Sequence, residues 1–181
     1  MTPETNYHTS PFLPLLTSDA PETALNQIVQ IVGESLGADR CFLYVRHPAA
    51  AQGKIAFCWC KDDTVPNVIQ PDWQDDTTDL PQEDPLFRAA LSNQPSVYVD
   101  DVDTAPPTVL NRDFEAKTFG HRALIHGHIG RDGPLWGILQ PCVFGRPRVW
   151  TEADRALVEP LLPQLVEPIA RWVMEAYPKD R

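Results

Sequence analysis

The segment from Phe119 to Ala170 constrains the fold of this chain more than any other. It reads as an apolar strand, the tight turn Gly130-Arg131-Asp132-Gly133, a second apolar strand, a loop and a helix. Thr151 is suited to begin that helix, because its hydroxyl can cap the first turn while Asp154 lies three residues further on. This order of elements predicts a fold that mixes strands and helices.

Length and composition indicate one globular domain. The chain has 181 residues, of which 43% are hydrophobic and 22% charged, so it can bury a substantial core. We expect the domain to span residues 19–177, between tails at 1–18 and 178–181. No apolar run reaches the roughly 20 residues that span a bilayer, and no signal-like segment opens the chain. We therefore expect a cytoplasmic protein without a transmembrane segment.

The charge balance argues against a nucleic-acid partner or an anionic membrane. The net charge is −10, and the chain carries only 15 Lys and Arg residues. Neutralising nucleic-acid phosphates requires clustered basic side chains. Four cysteines in a cytoplasmic chain are expected to be reduced thiols and not a disulfide framework.

Apolar spacing and turn residues locate the remaining elements. A first helix is predicted from about Asp19 to Gly37, with Gly37 as its stop. In the second strand, Ile55, Phe57 and Trp59 are predicted to share one face. The acidic segment 62–83 is predicted to be a long loop. The other predictions are strands at 41–45, 54–61, 95–99, 122–130 and 134–143, and helices at 84–92 and 110–119.

The last helix combines a strong apolar stripe with prolines. Leu157, Leu161, Leu165 and Ile169 recur every four residues, as on one face of a helix. Pro160, Pro163 and Pro168 fall inside the same pattern, and each interior proline costs roughly 3 kcal/mol. The helix is therefore expected to be kinked, broken near residue 160, or held straight by strong packing.

Several short motifs, in this order and spacing, resemble the GAF domain family over about residues 20–175. They are Leu36-Gly37-Ala38-Asp39-Arg40, Trp59-Cys60, Asp84-Pro85-Leu86-Phe87, Val99-Asp100-Asp101-Val102, Gly120-His121-Arg122-Ala123-Leu124, Leu135-Trp136-Gly137-Ile138-Leu139 and Val149-Trp150-Thr151-Glu152-Ala153-Asp154. The resemblance implies an α+β fold with a central antiparallel sheet of five or six strands. It also implies that the N- and C-terminal helices lie on one face and that short helices cover a pocket on the other.

The resemblance is strongest to the GAF domains of phytochromes, cyanobacteriochromes and signalling proteins. The photosensory members attach a linear tetrapyrrole to a cysteine in the helix before the fourth strand. In this chain that helix, residues 110–117, contains neither Cys nor His. Covalent attachment at the usual place is therefore not expected, and no cofactor is predicted. The resemblance leaves a non-covalent tetrapyrrole as the alternative.

Two histidines and two aromatic residues are candidates for lining the pocket. His126 and His128 lie two apart on a strand, so their side chains project from the same face as Leu124. They suit hydrogen-bonded structural roles, contact with a ligand, or the beginning of a metal site. A metal site needs further ligands, and none has readable spacing, so no metal is predicted. Phe114 and Phe119 complete the candidates.

Cys58 and Cys60 also share a strand face. Same-face neighbours on a strand lie roughly 6.6 to 6.8 Å apart, so a disulfide between them would be strained. A matching second pair for a zinc site is absent, because Cys41 and Cys142 stand alone. Buried reduced thiols are the favoured interpretation.

No catalytic triad, phosphate-binding loop or helical metal pair is visible, so we expect a protein that is not an enzyme. The leading hypothesis is a stand-alone GAF-like domain that regulates or assembles by binding a protein partner, as a homodimer. Its candidate interface is Leu157, Leu161, Leu165, Ile169 and Trp172. The alternatives are a sensor of a tetrapyrrole or nucleotide-type ligand and a thiol-dependent redox enzyme.

Overall fold

The computed structural model describes residues 10–130 and 133–179, and its centre is one six-stranded antiparallel sheet. The strand order across the sheet is β3-β2-β1-β6-β5-β4. The strands are β1 (Arg40–His47), β2 (Gln52–Cys60), β3 (Gln74–Asp75), β4 (Val97–Val99), β5 (Ala123–Ile129) and β6 (Gly137–Val143). The predicted α+β class and antiparallel sheet are confirmed.

Eight α-helices within the described residues surround the sheet. They are α1 (Leu13–Leu16), α2 (Pro21–Leu36), α3 (Leu80–Glu83), α4 (Pro85–Leu91), α5 (Arg112–Thr118), α6 (Glu152–Val158), α7 (Leu161–Gln164) and α8 (Val166–Ala176). Within the described residues, no helix is long and apolar enough to cross a membrane. The predicted turn 130–133 includes Arg131 and Asp132, which lie outside the described residues, as do residues 1–9 of the predicted N-terminal tail.

The two faces of the sheet carry separate hydrophobic cores. Alternation along β5 sends Ala123, Ile125 and Ile129 to the face covered by α2 and α8, and Leu124 to the opposite face. Short helices α4 and α5 contribute to the second face, where Leu86 and Phe87 pack. The predicted arrangement of terminal helices on one face is confirmed.

Helix α2 ends where its sequence predicts. Gly37 adopts a left-handed backbone conformation with φ of 60°, which glycine tolerates without steric cost. The N–H of Ala38 bonds to the carbonyl of Gly33, and the N–H of Gly37 to that of Glu34, so the last turn is closed. The chain then enters β1 at Arg40.

The proline-containing C-terminal segment is broken and not straight. Its first part, α6, begins with a capping box in which Thr151 and Asp154 bond each other's backbone N–H. Pro160 separates α6 from α7, and Leu165 separates α7 from α8. Because a proline lacks the N–H that continues a helical ladder, short pieces that start anew satisfy the backbone better than one long helix.

A β-bulge in β2 changes the sheet face on which Ile55 lies. Leu43 pairs with Phe57 while its neighbour Tyr44 pairs with Ile55, so Ala56 is an extra residue in β2. The bulge reverses the alternation, and Ile55 joins the core opposite the helix-side core that contains Phe57. The prediction that Ile55 shares a face with Phe57 and Trp59 is therefore wrong.

The predicted loop 62–83 also contains regular structure. Its residues Gln74 and Asp75 form β3 against Gly53 and Gln52 of β2. Leu80–Glu83 then forms α3, which leads into α4 through the cap residue Asp84. This segment crosses the sheet face opposite α2 and covers part of it.

Gly33 lies in the middle of α2, and we expect its replacement by alanine to destabilise the protein. Replacing an interior helical glycine by alanine normally stabilises a protein by about 0.5 to 1 kcal/mol. A Cβ at Gly33 would lie only 2.3 Å from the Trp59 ring and 3.2 Å from Cys41 Cβ. We expect Gly33→Ala to lower the free energy of unfolding by about 1 to 2 kcal/mol net, measured by urea titration. The exposed control Ser35→Ala should change it by less than about 0.5 kcal/mol, and a stabilised Gly33→Ala protein would contradict the packing described here.

Candidate ligand cavity

A cavity of about 350 Å³ lies between the sheet and the segment that carries β3, α3 and α4. Its floor is formed by β1, β2, β5 and β6, and α5 closes one side. The lining residues are Phe42, Tyr44, Gly53, Ile55, Gln70, Gln74, Asp75, Asp76, Thr78, Asp79, Leu80, Glu83, Asp84, Phe87, Phe114, Thr118, Phe119, His126, Ile138 and Gln140.

A buried ion pair fixes the covering segment to the floor. Asp76 is 1% exposed, and one of its carboxylate oxygens accepts hydrogen bonds from the Tyr44 hydroxyl at 2.7 Å and from Arg46 Nε at 2.8 Å. Its other oxygen accepts from Arg46 Nη2 at 3.1 Å. Gly53 is needed beneath this contact, because a Cβ there would lie 2.2 Å from the Tyr44 hydroxyl. The charge of Asp76 is thus neutralised by Arg46.

Aromatic rings form the apolar wall of the cavity. Phe42 of β1 stacks on Phe119 with ring centroids 5.4 Å apart, and Phe114 meets Phe119 edge to face at 6.2 Å. Across the floor, Tyr44 meets Phe87 edge to face at 5.6 Å. These arrangements are the ones that aromatic quadrupoles favour. The wall of the cavity is therefore apolar on this side.

Two polar side chains on the floor are almost fully buried. His126 and Gln140 are each 3% exposed, and both line the cavity. They are cross-strand neighbours, because the pairs Leu124 with Cys142 and His128 with Ile138 bracket them. The Gln140 amide makes no side-chain hydrogen bond within the part of the chain that the structure describes. Among the described residues, the side-chain polar atoms that are fully buried without a partner are Arg40 Nε and His121 Nδ1, so the unpartnered atoms of His126 and Gln140 are open to the cavity.

A chain of hydrogen bonds leads from the floor to the sheet edge. His126 Nδ1 lies 2.8 Å from His128 Nε2, and His128 Nδ1 lies 2.7 Å from the carbonyl oxygen of Gln94. Burial lowers the pKa of His126 well below its ordinary value, and the neighbouring His128 lowers it further. Burial also lowers the pKa of His128. Both imidazoles are therefore neutral at pH 7.

Behind the cavity, α5 buries an acid beside a histidine. Glu115 is 1% exposed, and its carboxyl lies 2.5 Å from His121 Nε2. Burial raises the pKa of Glu115 to about 8 and lowers that of His121 to about 3. Both shifts favour the neutral forms of the two groups at pH 7, and one hydrogen bond joins them. Asp84, which caps α4, has its pKa raised to about 7 by burial and by Glu115.

The cysteines lie outside the cavity lining. Cys58 and Cys60 are half-buried on β2 with their sulfur atoms 3.8 Å apart, and Cys41 and Cys142 are buried. All four are free thiols. Burial raises the pKa of Cys58 to about 11 and that of Cys142 to about 12, and it raises the pKa of Cys41.

The structure brings together three of the four predicted pocket residues. Phe114, Phe119 and His126 line the cavity, whereas His128 lies at the sheet edge and contacts the cavity only through His126. Ligand binding by these residues stays a prediction.

The predicted interface residues need a correction. Leu161, Leu165 and Ile169 are 2%, 0% and 0% exposed, because they pack on the helix-side face of the sheet. They belong to the core of this chain and offer no surface to a partner. Leu157 and Trp172 are half-buried against the same core.

Sequence reasoning missed the residues that shape the floor and its cover. Tyr44 and Gln140 lie inside apolar strands and line the cavity. The only signal in the sequence was a polar side chain within an otherwise apolar strand. Asp76 was grouped with the other acidic residues of the loop, although it is buried and paired with Arg46. Its partner is 30 residues away in sequence, so no local pattern marks it.

Comparison with known families agrees with this architecture. The sequence profile of the GAF domain family matches residues 20–166. The chain belongs to the GAF domain family. No curated protein is similar enough in sequence to count as a match.

Solved GAF domains share the fold at low sequence identity. The GAF domain of a phosphoenolpyruvate-protein phosphotransferase from Acinetobacter is 13% identical, with a TM-score of 0.68 and 93% of each chain covered. The corresponding domain from Coxiella burnetii is 17% identical, with a TM-score of 0.64 and coverage of 91% of this chain and 95% of that one. A phycoerythrobilin-bound GAF domain from a cyanobacterial phytochrome is 18% identical, with a TM-score of 0.64 and coverage of 87% and 89%.

The buried acid on α5 predicts a pH dependence of stability. Between the ordinary Glu pKa of 4.5 and the folded value of about 8, the folded chain holds a proton that the unfolded chain has lost. The stabilisation from Glu115 is therefore complete below pH 4.5 and is lost as pH rises to about 8, roughly 3 to 5 kcal/mol in all. His121 titrates below this window, so urea titrations between pH 6.5 and 9 follow Glu115 together with Asp84, whose pKa is raised to about 7.

Glu115→Gln is the matched variant, because its amide can still donate to His121. We expect a flatter profile across this window in Glu115→Gln, with a residual slope from Asp84, whose raised pKa acts in the same direction. Parallel pH profiles for the two proteins would show that Glu115 is already ionised in the native state.

Proposed function

We propose that this GAF domain is a non-catalytic regulatory module that binds a small molecule non-covalently in the cavity described above. The observation that carries the proposal is the floor: His126 and Gln140 are each 3% exposed and line the cavity, and among the described residues His126 Nε2 and the Gln140 amide have no hydrogen-bond partner and are open to that cavity. The volume of about 350 Å³ lies within the usual range for small-molecule sites. Aromatic walls with a few convergent polar groups are typical of such sites.

The thiol chemistry supports a binding role over a catalytic one. Cys41, Cys58 and Cys142 have raised pKa values, so at neutral pH they hold little of the thiolate form that attacks substrates. None of the four cysteines lines the cavity. Non-covalent binding follows from the same placement.

A tetrapyrrole is a second candidate, because a similar GAF domain from a cyanobacterial phytochrome holds phycoerythrobilin. A nucleotide-type ligand belongs to the same anionic class through its phosphate, as tetrapyrroles do through their carboxylates. The exposed carboxylates of Asp75, Asp79 and Glu83 on the cavity wall oppose both. We therefore rank these ligands below an uncharged or cationic one.

The sheet offers a route by which occupancy could reach a protein partner. Neighbouring residues of β1 face opposite cores, Phe42 toward the cavity and Leu43 toward α2 and α8. A ligand that binds one arrangement of the floor better than another would shift the population of helix arrangements on the far side. We propose that a protein partner, including a second copy of this chain, responds to that shift.

Blocking the cavity mouth tests ligand binding. Thr118 is exposed at the end of α5 and lines the cavity, so Thr118→Trp should fill the mouth without disturbing the core. We expect ligand-observed NMR with a fragment library to yield compounds that bind the wild-type chain and lose at least tenfold in affinity for Thr118→Trp.

The matched control is Lys117→Trp, which adds the same ring at an exposed neighbouring position outside the lining. It should bind like the wild type. Equal binding by all three proteins would place the compounds elsewhere, and a library without any binder would argue against a ligand site.

The proposed response of a partner to ligand binding is tested by measuring self-association of the chain. Light scattering during size-exclusion chromatography should give a mass of twice 20.3 kDa for the wild-type chain, with a dimer fraction that changes when a cavity ligand is present. A mass of 20.3 kDa at all concentrations, with and without ligand, would rule out the homodimer.

A further inference from the structure

The hydrogen-bond chain across β5 fixes which nitrogen of His126 carries its proton. The Gln94 carbonyl can only accept, so His128 Nδ1 at 2.7 Å must be the protonated nitrogen. In a neutral imidazole the other nitrogen is an acceptor, so His128 Nε2 accepts from His126 Nδ1 at 2.8 Å. His126 Nε2 is then left with a lone pair and no proton.

This lone pair belongs to the cavity floor. His126 lines the cavity, and its Nε2 has no hydrogen-bond partner among the described residues. Gln140 lies beside it on the neighbouring strand and can accept through its amide oxygen. A ligand that satisfies the floor must therefore bring an N–H or O–H group to His126.

The charges on the cavity wall also favour a ligand that carries N–H donors. The lining residues include the exposed carboxylates Asp75, Asp79 and Glu83, and hydrogen bonds from Thr77 and Thr78 keep the pKa of Asp75 low. The lining residues that the structure describes include no Lys or Arg. These carboxylates attract a cation and repel an anion at short range.

The aromatic wall suits a flat cation as well. Phe42, Phe114 and Phe119 line the same space, and Phe119 is itself stacked on both Phe42 and His121. Cations that approach a ring face gain from the ring quadrupole, more so where water is excluded. Planar groups such as amidinium or guanidinium combine this stacking with several N–H donors.

We propose that the cavity binds a planar organic cation of the amidinium, guanidinium or protonated aromatic amine class, which donates an N–H to His126 Nε2 and an N–H to the Gln140 amide oxygen. The inference deepens the proposed function and rests on it, since it names the chemistry of the ligand in the same cavity. It assigns His126 as an acceptor toward the ligand and His128 as the residue that sets this orientation.

The first experiment reads the tautomer directly. Long-range ¹H–¹⁵N NMR spectra at pH 7 report which ring nitrogen of each histidine is protonated, and His126→Gln provides the assignment. We expect Nδ1 to be protonated and Nε2 unprotonated in both His126 and His128. A protonated Nε2 in His126 would make it a donor and overturn the inference.

The second experiment compares matched probes on the folded wild-type chain. Benzamidinium and benzoate have the same shape and opposite charge, and benzamide is neutral. We expect benzamidinium to shift the NMR signals of His126 and Gln140 and to bind at least tenfold more tightly than benzoate. Replacing His126 by Leu should weaken benzamidinium about tenfold or more, since it removes a hydrogen bond to a charged donor.

His126→Gln keeps an acceptor oxygen and should recover part of the lost affinity. If His126→Leu fails to fold, the probe comparison on the wild type still decides. Benzoate, biliverdin or a cyclic nucleotide that binds the cavity more tightly than benzamidinium would overturn the cation class and leave the proposed function standing. Absence of any cavity shift with these probes and with the fragment library would overturn both.

Discussion

A buried contact holds the segment that covers the cavity: the bidentate pairing of Arg46 with Asp76. It ties a segment of 22 residues, 62–83, to the centre of the sheet through a side chain that is 1% exposed. The contacts of the segment with β2 include hydrogen bonds that are not fully buried: two residues of β3 pair with β2, and Gln70 bonds the backbone of Ile55. Breaking a buried ion pair by removing one partner is strongly destabilising, because the remaining charge stays buried. Asp75 and Asp79 flank this anchor in the chain, so the ion pair helps to position the acidic wall of the cavity.

The sheet also separates a densely packed core on the helix side from a cavity on the opposite face. On the α2 and α8 side, residues such as Leu165 and Ile169 are fully buried, and Gly33 accepts the Trp59 ring at close range. On the other side, His126 Nε2 and the Gln140 amide open on the cavity and have no hydrogen-bond partner among the described residues. A well-packed core resists gradual deformation, so we expect a change of the floor to reach the helix side as a shift between discrete packed arrangements.

The sequence predicted the elements that local chemistry determines. Gly37 as the helix stop and Thr151 with Asp154 as a capping box are both found in the structure. The resemblance to GAF domains predicted the layers of the fold. The bulge at Ala56, the strand β3 and the role of Asp76 depend on contacts between distant residues, which spacing within a segment does not encode. The apolar stripe of the last helix predicted correctly that its side chains are buried. It did not distinguish burial in the core of the chain from burial against a partner.

The donor and acceptor roles of His126 and His128 show most clearly why the sequence alone does not predict the chemistry of the ligand. The pattern His126-Gly127-His128 predicts two imidazoles on one face, and it is silent on donor and acceptor. What decides between them is the backbone carbonyl of Gln94, 34 residues away from His128. Since a carbonyl cannot donate, it orients His128, and His128 in turn orients His126. A backbone atom at the sheet edge thus sets the polarity of the cavity floor, and a change of the Gln94 side chain would leave that polarity intact.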